Sequence, residues 1–251
     1  MDAADWHKAA AELAWQVDCG VTEAIGEVPI NRYDVVEEPR AKPAAAAAPE
    51  TAAPQAADPV AEAETLAASA PTLEALAEAQ AGYTHCELKL GARNFVFADG
   101  TAGAPVMIVG EAPGRDEDRE GKPFVGRAGQ LLDKMLAAVG MSRAENVYIM
   151  NVLPWRPPQN RDPKTEEVAM MLPFVKRHIA LAQPRLLIAM GNHSCQALLK
   201  KKGITRLRGQ WHEAEGLPVL PMLHPAYLLR QPHAKRQAWE DMLSLQARMT
   251  P

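Results

Sequence analysis

The sequence predicts an α/β fold in three layers, α/β/α, built on a short four-stranded parallel sheet. Three observations carry this. Four short apolar runs, at 106–109, 146–153, 185–190 and 217–220, have the length of buried strands and lack an amphipathic alternation. Stretches with apolar residues at helical spacing stand between them. Each run gives way to a loop rich in Gly, Pro and polar side chains, or to the start of a helix.

Taken in order, residues 4–18 read as an amphipathic helix with Trp6, Ala9, Ala10, Leu13, Ala14 and Val17 on one side. Such a face docks on the body of the protein or on a partner protein. Residues 20–37 are irregular, with an apolar patch at Val21, Ala24, Ile25 and Val28. From 39 to 71 the chain is dominated by Ala, Pro and Glu, with too few large apolar side chains to offset the entropy of ordering them. The expected organisation is an N-terminal helical segment at 1–38, a disordered Ala/Pro-rich linker at 39–71 and a folded domain at 72–251.

That domain opens with a helix at 73–80, followed by Tyr83-Thr-His-Cys86, Phe95-Val-Phe97 and a turn at Asp99 and Gly100. The strand 106–109 stops at Gly110. An acidic loop follows, and a helix begins near Arg127 with Leu131, Leu132, Met135, Leu136 and Val139 in register and Gly140 as its stop. The second strand runs into Pro154-Trp-Arg-Pro-Pro-Gln-Asn-Arg161, which is too rich in proline to be regular. A long helix at 164–182, the third strand, a helix from Gly191 to Leu199, the fourth strand and a closing helix at 233–248 complete the chain.

Composition excludes several classes. No apolar run approaches the about 18 residues needed to cross a bilayer, and the acidic N-terminus is unlike a secretory signal. Three widely spaced cysteines, Cys19, Cys86 and Cys195, suit free thiols in a reducing, bacterial-type cytosol. The net charge of −4 conceals an asymmetry. Residues 1–70 hold four Lys/Arg against thirteen Asp/Glu, whereas residues 143–251 hold sixteen against eight. A basic folded part is compatible with phosphate backbones.

Three strands end in polar loops: Glu111 to Asp118, Asn151 to Arg161, and His224 to Arg230. Parallel strands share a direction, so these loops converge at one edge of the sheet, where open α/β folds bind ligands. An acid, a carboxamide and an imidazole suit hydrolysis or the binding of a polar heterocycle. The His and Cys residues lack metal-ligand spacing.

Five motifs occur in one order: Gly110-Glu-Ala-Pro-Gly114 with Glu117 and Asp118; Gly121-Lys-Pro-Phe-Val-Gly126; Asn151-Val-Leu followed by Arg156-Pro-Pro-Gln-Asn-Arg161; Arg208-Gly-Gln-Trp211; and His224-Pro-Ala-Tyr-Leu-Leu-Arg230. Together they resemble the family 4 uracil-DNA glycosylases across about residues 80–245. The resemblance implies an enzyme that hydrolyses the N-glycosidic bond of deoxyuridine in DNA and leaves an abasic site. It also implies roles. Phe124 stacks on the base, and Asn151 reads its edge by accepting from N3–H and donating to O4. Glu111 positions the water, while His224 supports the charge growing at O2. Asn160 is a second polar group facing the pocket, Ala112 lines it, and Glu117 crowds the C5 edge against thymine's methyl group. Gly114, Lys122, Arg127, Arg156, Arg161 and Arg230 lie near DNA phosphates, with a further basic run at Lys200–Lys202, Arg206 and Arg208. The domain at 72–251 is then a glycosylase domain, expected to act as a monomer.

The sequence departs from this family at the iron–sulfur ligands. The family's [4Fe–4S] cluster uses four cysteines, and here the first pair reads Tyr83 and Cys86, the third position is Met171, and the fourth falls within 186–188. One thiolate does not hold a cluster of four ligands. The expectation is therefore no metal, no cofactor required for chemistry, and packing around Tyr83, Met171 and Leu187 in the cluster's place. The short loop after the second strand also lacks the basic, His-containing insert of the covalent uracil-trapping relatives, which predicts turnover. Two alternatives remain beside this reading: a broader deaminated-base glycosylase, and a non-catalytic DNA-binding or replication-associated module on the same fold whose N-terminal helix recruits a partner.

Overall fold

The computed structural model describes residues 3–18, Gly20 and 58–249. The chain divides into two units, Met1–Ala53 and Pro54–Pro251. The first contributes helix α1 (Ala3–Asp18), on which Trp6, Leu13, Trp15 and Val17 are exposed. The apolar patch expected at residues 21–28 lies outside the described residues, as do residues 39–57 of the expected linker.

The second unit starts with a correction. Residues 59–69 form helix α2 (Pro59–Ser69) where the composition suggested a disordered linker. Asp58 caps it by accepting from the N–H of Val60 at 3.0 Å, and Pro59 takes the first turn, where its missing donor costs nothing. Small side chains let it pack against helix α7 (Thr165–Ala182): Ala63 and Ala67 are buried. Side chains from elsewhere fasten it. The Tyr83 hydroxyl donates to the Pro59 carbonyl (2.7 Å), His85 meets Glu62 at 2.8 Å, and the Arg177 guanidinium donates to the Ala70 carbonyl. Alanine content signalled weak packing, yet here buried alanines form the face that α2 sets against its neighbour.

The remaining elements are α3 (Leu73–Gly82), α4 (Leu88–Gly91), β1 (Ala98–Gly100), β2 (Val106–Gly110), α5 (Arg115–Glu120), α6 (Arg127–Ala138), β3 (Val147–Asn151), α7 (Thr165–Ala182), β4 (Leu186–Met190), α8 (Asn192–Leu199), α9 (Ile204–Leu207), β5 (His212–Ala214), β6 (Leu217–Met222), α10 (Pro225–Arg230) and α11 (Lys235–Met249). Among the described residues the sheet has six strands in the order β1-β3-β2-β4-β6-β5. The four expected strands form its parallel centre, and β2, β3 and β4 are buried along their whole length. The expected count of four is thus too low by two. Both extra strands are three-residue antiparallel edges containing Asp99 and Glu213, too short and polar to show a strand pattern.

Alternating side chains divide the core into two layers. Met107, Val109, Leu187 and Ala189 face the α2, α3 and α7 side, with Tyr83, Met171 and Phe174. Val106, Ile108, Ile149 and Ile188 face the other side, with Leu132, Leu136 and Met242. This is the predicted three-layer arrangement. No helix among the described residues is long and apolar enough to cross a membrane.

Candidate active site

Strand register brings the site together. In the parallel pair β2 and β3, Gly110 stands opposite Asn151. Pairing continues past the strand ends: the N–H groups of Val152 and Leu153 donate to the carbonyls of Gly110 and Glu111, each at 3.0 Å. Glu111 and Asn151 therefore leave the sheet at one level. On the far side of β2, the Gly191 N–H donates to the Met222 carbonyl at the end of β6. His224, two residues further on, reaches the same edge. A cavity of about 400 Å³ opens there, lined by Glu111, Ala112, Gly114, Glu117, Phe124, Asn151, Asn160, Arg161, His224 and Arg230 among others. Lys122, Arg127 and Arg156 lie outside its lining.

The aromatic wall is held in an unusual backbone conformation. Phe124 has φ of 54°, in the left-handed region that a bulky residue adopts only when its surroundings impose it. Arg143 supplies much of that constraint. Its guanidinium donates to the Pro123 carbonyl (2.7 Å) and to the Phe124 carbonyl, and it pairs with Asp99 (3.1 Å) and Asp133 (2.7 Å). Glu117 braces the same loop: one carboxylate oxygen accepts from the N–H groups of Val125 and Gly126, the other from that of Gly114. Helix α6 then packs so tightly that a Cβ on Gly129 would lie 1.7 Å from the Phe124 carbonyl oxygen. The Phe124 ring faces the His224 imidazole at 5.4 Å between centroids and 26° between planes.

Asn151 is 3% exposed, and its Oδ1 is a buried acceptor with no hydrogen-bond partner among the described residues. Such an orphan costs free energy unless a ligand supplies a donor. A Cβ on Gly110 would fall 2.2 Å from that oxygen, so the glycine keeps the pocket floor open.

His224 caps helix α10, its Nδ1 accepting from the Ala226 N–H at 3.1 Å. An imidazole accepting at Nδ1 carries its proton at Nε2. Burial pushes its pKa down to about 4, and the nearby Arg230 cation adds to the effect. The ring is a neutral donor at physiological pH. Glu111 behaves oppositely: burial raises its pKa, the His193 imidazole lowers it and Asp162 raises it.

Several of the expected residues have partners within the protein. Glu117 lines the cavity, and its carboxylate accepts from loop backbone. Asp118 accepts from the N–H groups of Arg93 and Asn94, and Asp116 pairs with Arg119; both organise the loop. Arg161 grips Glu167 through both terminal nitrogens, which fixes the start of α7 and engages the guanidinium within the protein. Arg208 is likewise held by buried Asp241, and Trp211 donates to Ser244, so this motif docks α11. Asn160 is an exposed rim residue with φ of 53°, accepting from Arg156 at 2.7 Å.

Arg143, Asp162 and His193 were missed by sequence reasoning because their partners are distant in the chain. Only the preceding glycine marked His193, as the residue after a helix start. Tyr227 also lines the cavity, and its place in the His224 motif was the available signal.

The Uracil DNA glycosylase superfamily model matches residues 97–243, which contain both the sheet and the cavity. The chain belongs to this superfamily. It is similar to the Type-4 uracil-DNA glycosylase of Sulfurisphaera tokodaii, with 36% identity over 179 residues that span 68% of this chain and 81% of the relative. The Type-4 enzyme of Thermotoga maritima is 40% identical over 163 residues, spanning 63% and 83%. That of Archaeoglobus fulgidus is 39% identical over 165 residues, spanning 62% and 82%.

The [4Fe–4S] cluster implied by the family 4 resemblance would need four thiolates from the residues present. Tyr83, Cys86, Met171 and Leu187 do share one buried apolar layer. Tyr83 is turned to the Pro59 carbonyl and packs edge-on against Phe174 at 5.6 Å. Met171 Sδ accepts from Gln80 at 3.6 Å. Burial pushes the Cys86 thiol up, away from the thiolate that binds iron. This donor set does not fit a four-thiolate cluster.

Proposed function

We propose that this chain is a uracil-DNA glycosylase, hydrolysing the bond between uracil and deoxyribose in DNA. The unpartnered Asn151 Oδ1 beside the Phe124 ring carries the reading. A flipped uracil, extruded at a cost of a few kcal/mol, would lay one face on Phe124 and give its N3–H to that oxygen. Cytosine presents an acceptor at N3, which would leave two acceptors opposed. His224 Nε2–H would then donate to O2 as negative charge grows on the departing base, and Glu111 would orient water towards the sugar carbon. Arg127, Arg156, Arg230 and Lys122 are the cations assigned to phosphates.

The test is uracil release from a uracil-containing oligonucleotide, with alkaline cleavage at the abasic site. Wild-type protein should turn over. Asn151→Ala should lose about 10²-fold or more in kcat/KM while remaining folded, because the carboxamide that reads the uracil edge is gone. Unchanged activity in that variant would remove the edge-reading role. A strictly non-catalytic DNA-binding module would release no uracil even with enzyme in excess.

We also propose that the chain acts without a [4Fe–4S] cluster, as a monomer, with α1 available to a protein partner. Support for the first point is the apolar packing of Tyr83, Met171 and Leu187 and the fastening of α2 over them. Elemental analysis of purified protein should find no stoichiometric iron; about four iron atoms per chain would reverse this assignment. Burial also raises the Cys195 thiol to about 12, and free thiols in that state suit a reducing cytosol.

A further inference from the structure

Beside the cavity, the start of helix α8 places His193 against two acids from different elements. Its Nε2 lies 3.9 Å from Glu111 Oε2, at the end of β2, and 3.8 Å from Asp162 Oδ1, in the loop before α7. The ligand-bearing atoms of all three groups lie within 4.8 Å of one another. His193 and Glu111 are partly covered, with side-chain exposures of 23% and 31%, whereas Asp162 is exposed at 87%. The location follows from topology, because β2 and β4 are paired and only Gly191 stands between the end of β4 and the start of α8. Among the described residues, the contact with His193 is the ion pair that Glu111 makes.

We infer that His193 is a positioning residue for Glu111, its imidazole bridging the Glu111 and Asp162 carboxylates and holding the former towards the base cavity. The inference rests on the glycosylase reading and adds to it a residue that none of the five motifs contains. Three charged groups besides Glu111 and Asp162 line the same cavity. Arg161 is tied to Glu167 and Glu117 to loop backbone, while Arg230 acts on His224, and the charges that shift Glu111 are those of His193 and Asp162. His193 is left as the group that favours the carboxylate of a residue that burial otherwise drives towards its acid form. The sign follows. Protonating Glu111 removes the acceptor that orients water, so activity falls as pH falls, and removing His193, which lowers the Glu111 pKa, moves that fall to higher pH.

His193→Gln tests this through three readouts. The carboxyl ¹³C signal of Glu111 should titrate with a midpoint about half a unit or more higher in the variant than in wild type. The acid limb of kcat should move the same way, with kcat about tenfold lower near neutrality and KM within about twofold. In a Glu111→Gln background the His193 change should have no further effect, since a residue acting through Glu111 has nothing left to position. An unmoved Glu111 midpoint in a folded variant would overturn the assignment, as would an undiminished effect in the Glu111→Gln background. Should wild-type protein release no uracil, the glycosylase reading fails by that result, and the Glu111 midpoint still decides the role of His193.

Discussion

Replacing His224 with alanine is expected to lower kcat for uracil release by about 10²–10³-fold with little change in KM, equivalent to about 3–4 kcal/mol of transition-state stabilisation. The imidazole is pre-set as a neutral donor: the Ala226 N–H occupies Nδ1, and burial keeps the ring from charging until about pH 4. A donor fixed before the base arrives costs no reorganisation as charge builds on the leaving group. Single-turnover kinetics on a uracil-containing strand measure the loss. The same variant carries a second signature. A histidine kept neutral in the fold but titrating near its ordinary value of 6.5 when unfolded contributes stability that is fully present above pH 6.5. That contribution is lost as pH falls towards about 4. Wild-type protein should therefore lose more stability between those pH values than His224→Ala, by on the order of 3 kcal/mol. Loss of the helix cap would lower the variant's stability at every pH by about 1 kcal/mol, leaving the pH dependence as the distinguishing measurement.

Gly110→Ala is expected to abolish useful activity, with a loss of about 10²-fold or more, from the addition of one methyl group. The added Cβ would stand 2.2 Å from Asn151 Oδ1 and 2.6 Å from Phe124 Cε2. Neither neighbour has room to yield: Asn151 is a strand residue buried to 3% exposure, and the Phe124 backbone is bracketed by Arg143. Overpacking of this kind costs about 1–3 kcal/mol of stability, so the variant should fold with a lowered Tm and a blocked cavity. A thermal melt together with the oligonucleotide assay separates the two effects. A folded variant with near-normal kcat/KM would mean that uracil does not enter beside Asn151.

The parallel core was legible because its strands are buried on both faces and are continuous apolar runs, such as Val106 to Val109 and Leu186 to Met190. The edge strands were not, since three residues centred on Asp99 or Glu213 carry no period. Helix α2 was misread for a related reason. Its stability lies in contacts to Tyr83, Arg177 and α7 that are far away in the chain, although Asp58-Pro59 was a local start signal. At the site, Glu111, Phe124, Asn151 and His224 stood out through motif order, and all four line the cavity. Arg143 and His193 did not, because a lone Arg or His acquires meaning only from what the fold sets beside it. Glu117, Arg161 and Arg208 show the converse: charges that suggested ligand contact are engaged by the protein's own backbone and acids.

The continuation of β2–β3 pairing beyond the strands, through Val152 to Gly110 and Leu153 to Glu111, has a consequence for quality control. Side chains along a strand alternate between faces, so a slip of one residue would carry Asn151 to the opposite side of the sheet and part it from Glu111. The hydrogen bonds that align the backbone are thus also those that align the reading group with the water-orienting acid. A misregistered chain would still bury most of its apolar residues, yet it could not excise a base. Activity in this protein is a check on strand register, and a misfolded population would be silent instead of promiscuous towards undamaged DNA.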